Sequence, residues 1–298
     1  MTNFWGTYRA VLELTKSEIV LLEAITLVAG FVIGHSLERS FPWETFMLTL
    51  VGVSCLALGA GALNQIQERG IDAQMDRTKT RPLPSGRLSL RLALFITFAL
   101  LCFGIYLLSL VSTPVLVLGL LAVLSYNVLY TLWWKRKMAF GAIPGAIPGA
   151  LPILIGYQAA VHDLTDLRGY YLFAILFFWQ MPHFWVLALK YSNDYEKGGF
   201  PTLPVALGNQ VTRAQITLWC LAYAGIGLLS ALYFPTGLIG LVGSLITSAW
   251  LLFELYRFLK HPEQKTWLRF FLSINFSLIM YLGIISTDLL AILLHPKS

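Results

Sequence analysis

Four oxygen-bearing side chains recur at intervals of four in Asn64-Gln-Ile-Gln-Glu68-Arg-Gly-Ile-Asp72-Ala-Gln-Met-Asp76, where a long apolar run ends. A helical residue turns by about 100°, so each step of four drifts by roughly 40°. Asn64, Glu68 and Asp72 therefore share one broad face, and Asp76 begins to leave it. Like charges at this spacing repel, and at a membrane boundary a cation between them is the simplest relief. An oxygen-only ligand set suits Mg²⁺, which takes one or two carboxylates together with water and phosphate oxygens. Arg77, Lys79 and Arg81 follow at once. Carboxylates for a metal, then Arg and Lys for phosphate oxygens, form the inventory that holds a diphosphate. A solvated helix end whose basic residues mark the cytoplasmic side would use the same residue types.

A second group follows the sixth apolar run: Trp179-Gln-Met-Pro182-His183-Phe-Trp185, then Lys190 and Asp194. On a straight helix His183, Lys190 and Asp194 lie within roughly 20° of one line, running from the membrane interior to its edge. A histidine inside a span is costly without a partner, so it either serves a function or bonds a neighbouring helix. Asp194 is a candidate metal ligand and Lys190 a candidate phosphate cation. Alone, they read equally as a solvated acid and an interfacial anchor. A third group, Tyr126, Asn127 and Tyr130 ahead of Lys135-Arg136-Lys137, puts polar tips and cations near the same surface. Interfacial aromatics with cytoplasmic lysines have that composition too.

The elements that must position these groups are membrane helices. Hydrophobic residues make up 57% of the 298 and charged residues 12%, with a mean hydropathy of +0.71. That is about half the charged share of a soluble domain. Nine spans are drawn, near 19–37, 45–66, 90–110, 113–134, 139–160, 169–189, 214–233, 236–256 and 268–292, each of about 20 residues. They leave no room for a soluble domain, so residues 1–298 form one transmembrane domain. The fold class is all-α and polytopic.

With the N-terminus inside, every Lys and Arg except Arg39, Arg168 and Lys297 falls on the cytoplasmic side, which fixes the orientation. The net charge of +6 then reflects membrane topology, and nucleic acid is not expected as a partner. Cys55, Cys102 and Cys220 lie singly in apolar runs and form neither a disulfide framework nor a thiolate site. The first eighteen residues lack the features of a cleaved signal, so the chain is expected to insert whole into a bacterial cytoplasmic membrane. The two long polar loops follow spans 2 and 6, which suggests weak parallel repeats offset by four spans. Pro144, Pro148 and Pro152 stand four apart in a Gly- and Ala-rich span 5, where close packing or a cavity-lining break would tolerate them.

Asn64-xxx-Glu68-xxx-Asp72 followed by Arg77-Thr-Lys79-Thr-Arg81-Pro82 resembles the first signature of the intramembrane aromatic prenyltransferases, the UbiA-type superfamily. Trp179-Gln-Met-Pro-His-Phe-Trp185, Ala188-Leu-Lys-Tyr191 and Asp194-Tyr195 leading to Gly199-Phe-Pro201-Thr-Leu-Pro204 look like its branch that farnesylates protoheme IX to heme O. The likeness runs from Leu14-Thr-Lys16 to the ninth span. It implies nine helices around a central cavity open to the cytoplasmic side, with farnesyl diphosphate and Mg²⁺ at its mouth.

In that setting Asn64, Glu68, Asp72 and Asp194 hold the metal and Arg77, Lys79, Arg81 and Lys190 the diphosphate. His183, Tyr126, Asn127, Lys135 and Arg136 are the candidates for heme B, the last two for its propionates. Membrane lipid surrounds the protein, and a downstream heme-modifying or oxidase-assembly protein is the expected recipient. Glu68 stands where many members have Asp, and Lys190 stands at the earlier position of their second DxxxD signature. The competing readings are a prenyltransferase acting on a quinone precursor or chlorophyllide, and an ion-coupled transporter. A transporter would place its charges near the midplane instead of at the ends of spans.

Overall fold

A computed structural model describes residues 4–35, 40–234, 237–261 and 263–294, with side chains between 5 and 286. Arg39 and Lys297, two of the three basic residues expected on the far side, lie outside the described residues. The described residues form helices joined by turns and short loops, with no strand among them. Among the described residues nine helices are long and apolar enough to cross a membrane. They are span 1 (Ser17–Gly34), span 2 (Trp43–Asp72), span 3 (Leu90–Val111), span 4 (Thr113–Lys137), span 5 (Ala142–Val161), span 6 (Leu167–Lys190), span 7 (Leu203–Tyr233), span 8 (Gly237–Lys260) and span 9 (Gln264–Ser286).

Span 5 is the most buried of the nine and belongs to both main apolar cores. Ile153 and Tyr157 join Trp185, Tyr223 and Phe270 on one side, while Leu151 and Ile155 join Leu27, Phe31 and Leu56 on the other. Its small residues explain how. A Cβ on Gly30 would collide with the Ile153 carbonyl, and one on Gly156 with the Leu27 carbonyl, so spans 1 and 5 meet backbone to backbone. That is the close packing by Gly and Ala expected where apolar lipid supplies no hydrophobic drive between helices. Pro148 and Pro152 lie inside the helix.

Three elements differ from the expected pattern. Residues Phe4–Leu14 form a helix whose Ala10 and Leu14 pack with Ala62 and Ile66 of span 2. Span 7 is two helices that meet at Gly208 (φ 81°, ψ 168°), a short piece from Leu203 and the long helix beyond it, so its first piece precedes the expected boundary. Span 4 changes winding: Thr113–Leu124 is α-helical and Ser125–Trp134 is π-helical. π-Helical turns bond i to i+5 and are frequent at functional sites. Here the Thr131 hydroxyl donates to the carbonyl of Tyr126, five residues back.

Candidate active site

Span 2 continues past its apolar run to Asp72, so the Asn64, Glu68, Asp72 face is helical as the spacing predicts. All three are buried, each 2% exposed. A buried charge needs a partner, and each of the three has its own cation. The Lys16 ammonium donates to Asn64 Oδ1 (2.5 Å) and to the Tyr126 hydroxyl (3.0 Å). Lys135 Nζ donates to both oxygens of Glu68, at 2.7 and 2.9 Å. Arg81 Nη1 donates to both oxygens of Asp72, at 2.8 and 2.7 Å. The Asn64 amide also donates to Thr131 Oγ1 at 3.0 Å, tying the stripe to the π-helical part of span 4.

Lys16 joins the N-terminal helix to span 1 in a left-handed conformation (φ 54°), one that non-glycine residues seldom adopt. It precedes the first span, and burial pulls its ammonium down to about 8, with Arg81 adding repulsion.

The second acidic group meets the first at the same end of the bundle. Asp194 Oδ2 accepts the backbone N–H of Arg77 at 3.2 Å. Asp76, exposed in the loop beyond Asp72, binds Lys79 (2.8 Å) and reaches across to Lys197 (2.6 Å). Hydrogen bonds from Lys197 and Lys79 hold the Asp76 carboxyl down at about 2. The Arg77 guanidinium lies over the rings of Tyr191 and Tyr195, 5.4 and 5.8 Å from their centroids. The loops after spans 2 and 6 are thus clamped together.

Several residues stand elsewhere than expected. The helix of span 6 stops at Lys190, and Asp194 belongs to a separate short helix, Ser192–Lys197, so the straight stripe of His183, Lys190 and Asp194 is broken at Tyr191. Lys190 turns toward span 9, with Nζ 3.9 Å from the centroid of the Trp267 ring. Lys135, expected at propionates, serves Glu68. Tyr126 serves Lys16, and Asn127 ties span 4 to span 2 through the Ala60 carbonyl (2.9 Å) and Gln67. Arg136 has a buried Nε without a hydrogen-bond partner.

His183 sits between Trp179 and Phe271, 4.9 and 5.0 Å from their ring centroids, with Nδ1 unpartnered. Lys16 is the residue that sequence reasoning left without a role at the site. The signal available was a lone lysine one residue ahead of a span, level with the acidic stripe.

Asn64, Glu68, Asp72 and Asp194 offer oxygen donors only, and nitrogen cations surround them. That donor set fits Mg²⁺ shared with phosphate oxygens. Among the described residues no three acidic, histidine or cysteine groups already form a metal cage, consistent with each oxygen being drawn to its own cation.

Residues 24–279 match the UbiA prenyltransferase family. Over 274 residues, 92% of this chain and 94% of the relative, the sequence is 41% identical to the "Protoheme IX farnesyltransferase" of Bdellovibrio bacteriovorus. Among solved structures, a digeranylgeranylglyceryl phosphate synthase matches at a TM-score of 0.78 and 19% identity, covering 95% of this chain and 99% of its own. A UbiA homolog from Archaeoglobus fulgidus bound to DMAPP and Mg²⁺ matches at 0.67 and 15% identity, covering 93% and 99%. A buried amide and carboxylate stripe with its cations at one end of a nine-span bundle, and a match over most of the sequence, lead to one assignment: the chain belongs to the UbiA prenyltransferase family.

Proposed function

We propose that the chain transfers the farnesyl group of farnesyl diphosphate to a vinyl group of protoheme IX, with addition of water, giving heme O. The observation that carries the chemistry is the set of buried side chains Asn64, Glu68 and Asp72, each bound by its own cation. The acceptor follows from the 41% identity to a relative named for protoheme IX.

The reaction asks little acid–base work of the protein. The bond from farnesyl C1 to diphosphate oxygen breaks with its electron pair going to oxygen. Fixed cations meet the growing charge, which is where preorganised electrostatics contribute most. Arg81, Lys16 and Lys135 are the buried or half-buried cations at the stripe, and Arg77 and Lys79 line its exposed edge. Asn64, Glu68, Asp72 and Asp194 would hold Mg²⁺, which supplies further positive charge to the leaving diphosphate.

The terminal vinyl carbon attacks C1, and water adds to the resulting cation beside the ring, losing a proton. Apolar walls shield the allylic cation from premature water. The farnesyl tail lies among the spans, where burial favours it by roughly 0.8 kcal/mol per CH₂. His183, with a free ring nitrogen on span 6, is the contact for the heme. The N-terminus and the site face the cytoplasm, and the product passes to a heme-modifying or oxidase-assembly protein.

The test is incubation of the membrane protein with heme B, farnesyl diphosphate and Mg²⁺. The mass of the hydroxyethylfarnesyl product is expected. Absence of that product together with prenylation of 4-hydroxybenzoate or chlorophyllide in parallel arms would refute the reading.

A further inference from the structure

A polar cavity of about 260 Å³ opens beside the end of span 6 and is lined by Lys190, Asn209, Arg213, Glu263, Gln264 and Trp267 among others. It contains two cations and one acid. Arg213 Nε is buried there without a hydrogen-bond partner, and Lys190 is held over the Trp267 ring instead of on any carboxylate. An anion completes such a pocket.

The pocket ends an aromatic strip between spans 6 and 9. Trp267 donates from Nε1 to the Val186 carbonyl (3.0 Å), and Trp179 donates back to the Ile274 carbonyl (3.0 Å). Between these two ties, Trp267 stacks on Phe271 (5.2 Å, 8° between planes) and Phe271 meets His183 (5.0 Å). All three rings are half-buried, each leaving part of its surface uncovered. From His183 to Lys190 is seven residues, roughly 10 Å along a helix. A run of partly uncovered aromatic rings that ends at a pocket holding two cations fits an aromatic ring system bearing carboxylates on one edge.

The pocket also lies near the loop that carries Arg77. Lys190 Nζ and Arg77 Cζ lie 5.6 and 5.4 Å from the centroid of one ring, Tyr191, so they stand within about 11 Å of each other.

We propose that the two propionate carboxylates of the acceptor dock on Lys190 and Arg213, with the macrocycle along the His183, Phe271 and Trp267 strip. This rests on protoheme IX being the acceptor. It reverses the two lysines: Lys135 works at the diphosphate stripe, and Lys190 at the acceptor.

The experiment titrates wild type, Lys190→Gln and Arg213→Gln with protoheme IX and with its dimethyl ester, following the Soret band. It also measures KM for farnesyl diphosphate. Each substitution is expected to weaken protoheme IX binding about tenfold, since each removes one charge-assisted contact. The ester is expected to bind all three proteins alike, and KM for farnesyl diphosphate to stay put. Lys190→Arg, which keeps the charge, is expected to bind protoheme IX within about twofold of wild type. Equal protoheme IX affinity in wild type and both Gln variants would overturn the docking site alone. A raised farnesyl diphosphate KM in Lys190→Gln, with protoheme IX binding unchanged, would do the same and return Lys190 to the diphosphate. A wild type that neither binds protoheme IX nor forms product would remove the acceptor assignment and the docking site with it.

Discussion

Replacing Lys135 by methionine leaves Glu68 buried at 3% side-chain exposure with its direct counter-ion gone. In the native protein one ammonium bonds both carboxylate oxygens, at 2.7 and 2.9 Å, and is itself only 21% exposed. Removing one member of a buried ion pair costs about 3–5 kcal/mol, because the remaining charge has lost both water and partner. For a chain of this size each kcal/mol moves the melting midpoint by about 1.6 °C, so Lys135→Met should lower it by roughly 5–8 °C. Lys16 and Arg81 also stand at the stripe and share the load, which favours the lower half of that range. Removing both charges together, in Lys135→Met with Glu68→Gln, leaves no orphaned ion and should recover most of the loss. The assay is thermal unfolding of purified protein in detergent for wild type, both single variants and the double variant. A Lys135→Met midpoint within about 2 °C of wild type, or a double variant no better than the single, would refute the pairing as the source of the stripe's stability.

Asp72→Asn should lower kcat about 10²- to 10³-fold, because it removes a carboxylate that would keep the Mg²⁺ charge on the leaving diphosphate; farnesyl transfer at a near wild-type rate would exclude Asp72 from the metal site. Asp76 joins Lys197 and Lys79 with its carboxyl held at about 2 against an ordinary 3.8. The clamp is therefore complete above pH about 4, is lost as pH falls through 2, and does not titrate between pH 5 and 9. Asp76→Asn should raise trypsin cleavage after Arg77 and Lys79 by the same factor relative to wild type across pH 5–9, and a factor that changes with pH in that window would contradict it. Gly156→Leu forces a side chain against the Leu27 carbonyl and should destabilise the bundle by about 1–3 kcal/mol or more. A melting midpoint equal to wild type would show that spans 1 and 5 can separate freely.

The amide and carboxylate stripe was legible because its three members share one helix, and helical spacing alone sets their common face. Their partners were not, because Lys16 and Lys135 arrive from 48 and 67 positions away in sequence. No local pattern encodes such a pairing. The same contrast separates the spans. Runs of apolar residues located the nine helices, but the first eleven residues of span 7 carry Pro204, Gly208, Asn209 and Arg213 and do not read as a span. Proline is well suited to the first turn of a helix, and Leu203 and Ile216 are packed into the core shared with span 6. The break in the line from His183 through Lys190 to Asp194 has a similar origin. Extending span 6 as a straight rod put Lys190 in line with Asp194, whereas the helix ends at Lys190 and its side chain finds an indole from span 9.

The π-helical winding of Ser125–Trp134 makes the facing of the end of span 4 depend on how tightly this stretch is wound. Tightening this stretch to ordinary α-helix with no residue removed would swing everything beyond it about the axis, because an α-helical residue turns by about 100° and a π-helical residue, bonded i to i+5, by less. Thr131 and Lys135 would then face away from Asn64 and Glu68 although no residue at the site had been altered. The loose winding is thus itself a part of the site, since it sets which way the end of span 4 presents the partners of Asn64 and Glu68.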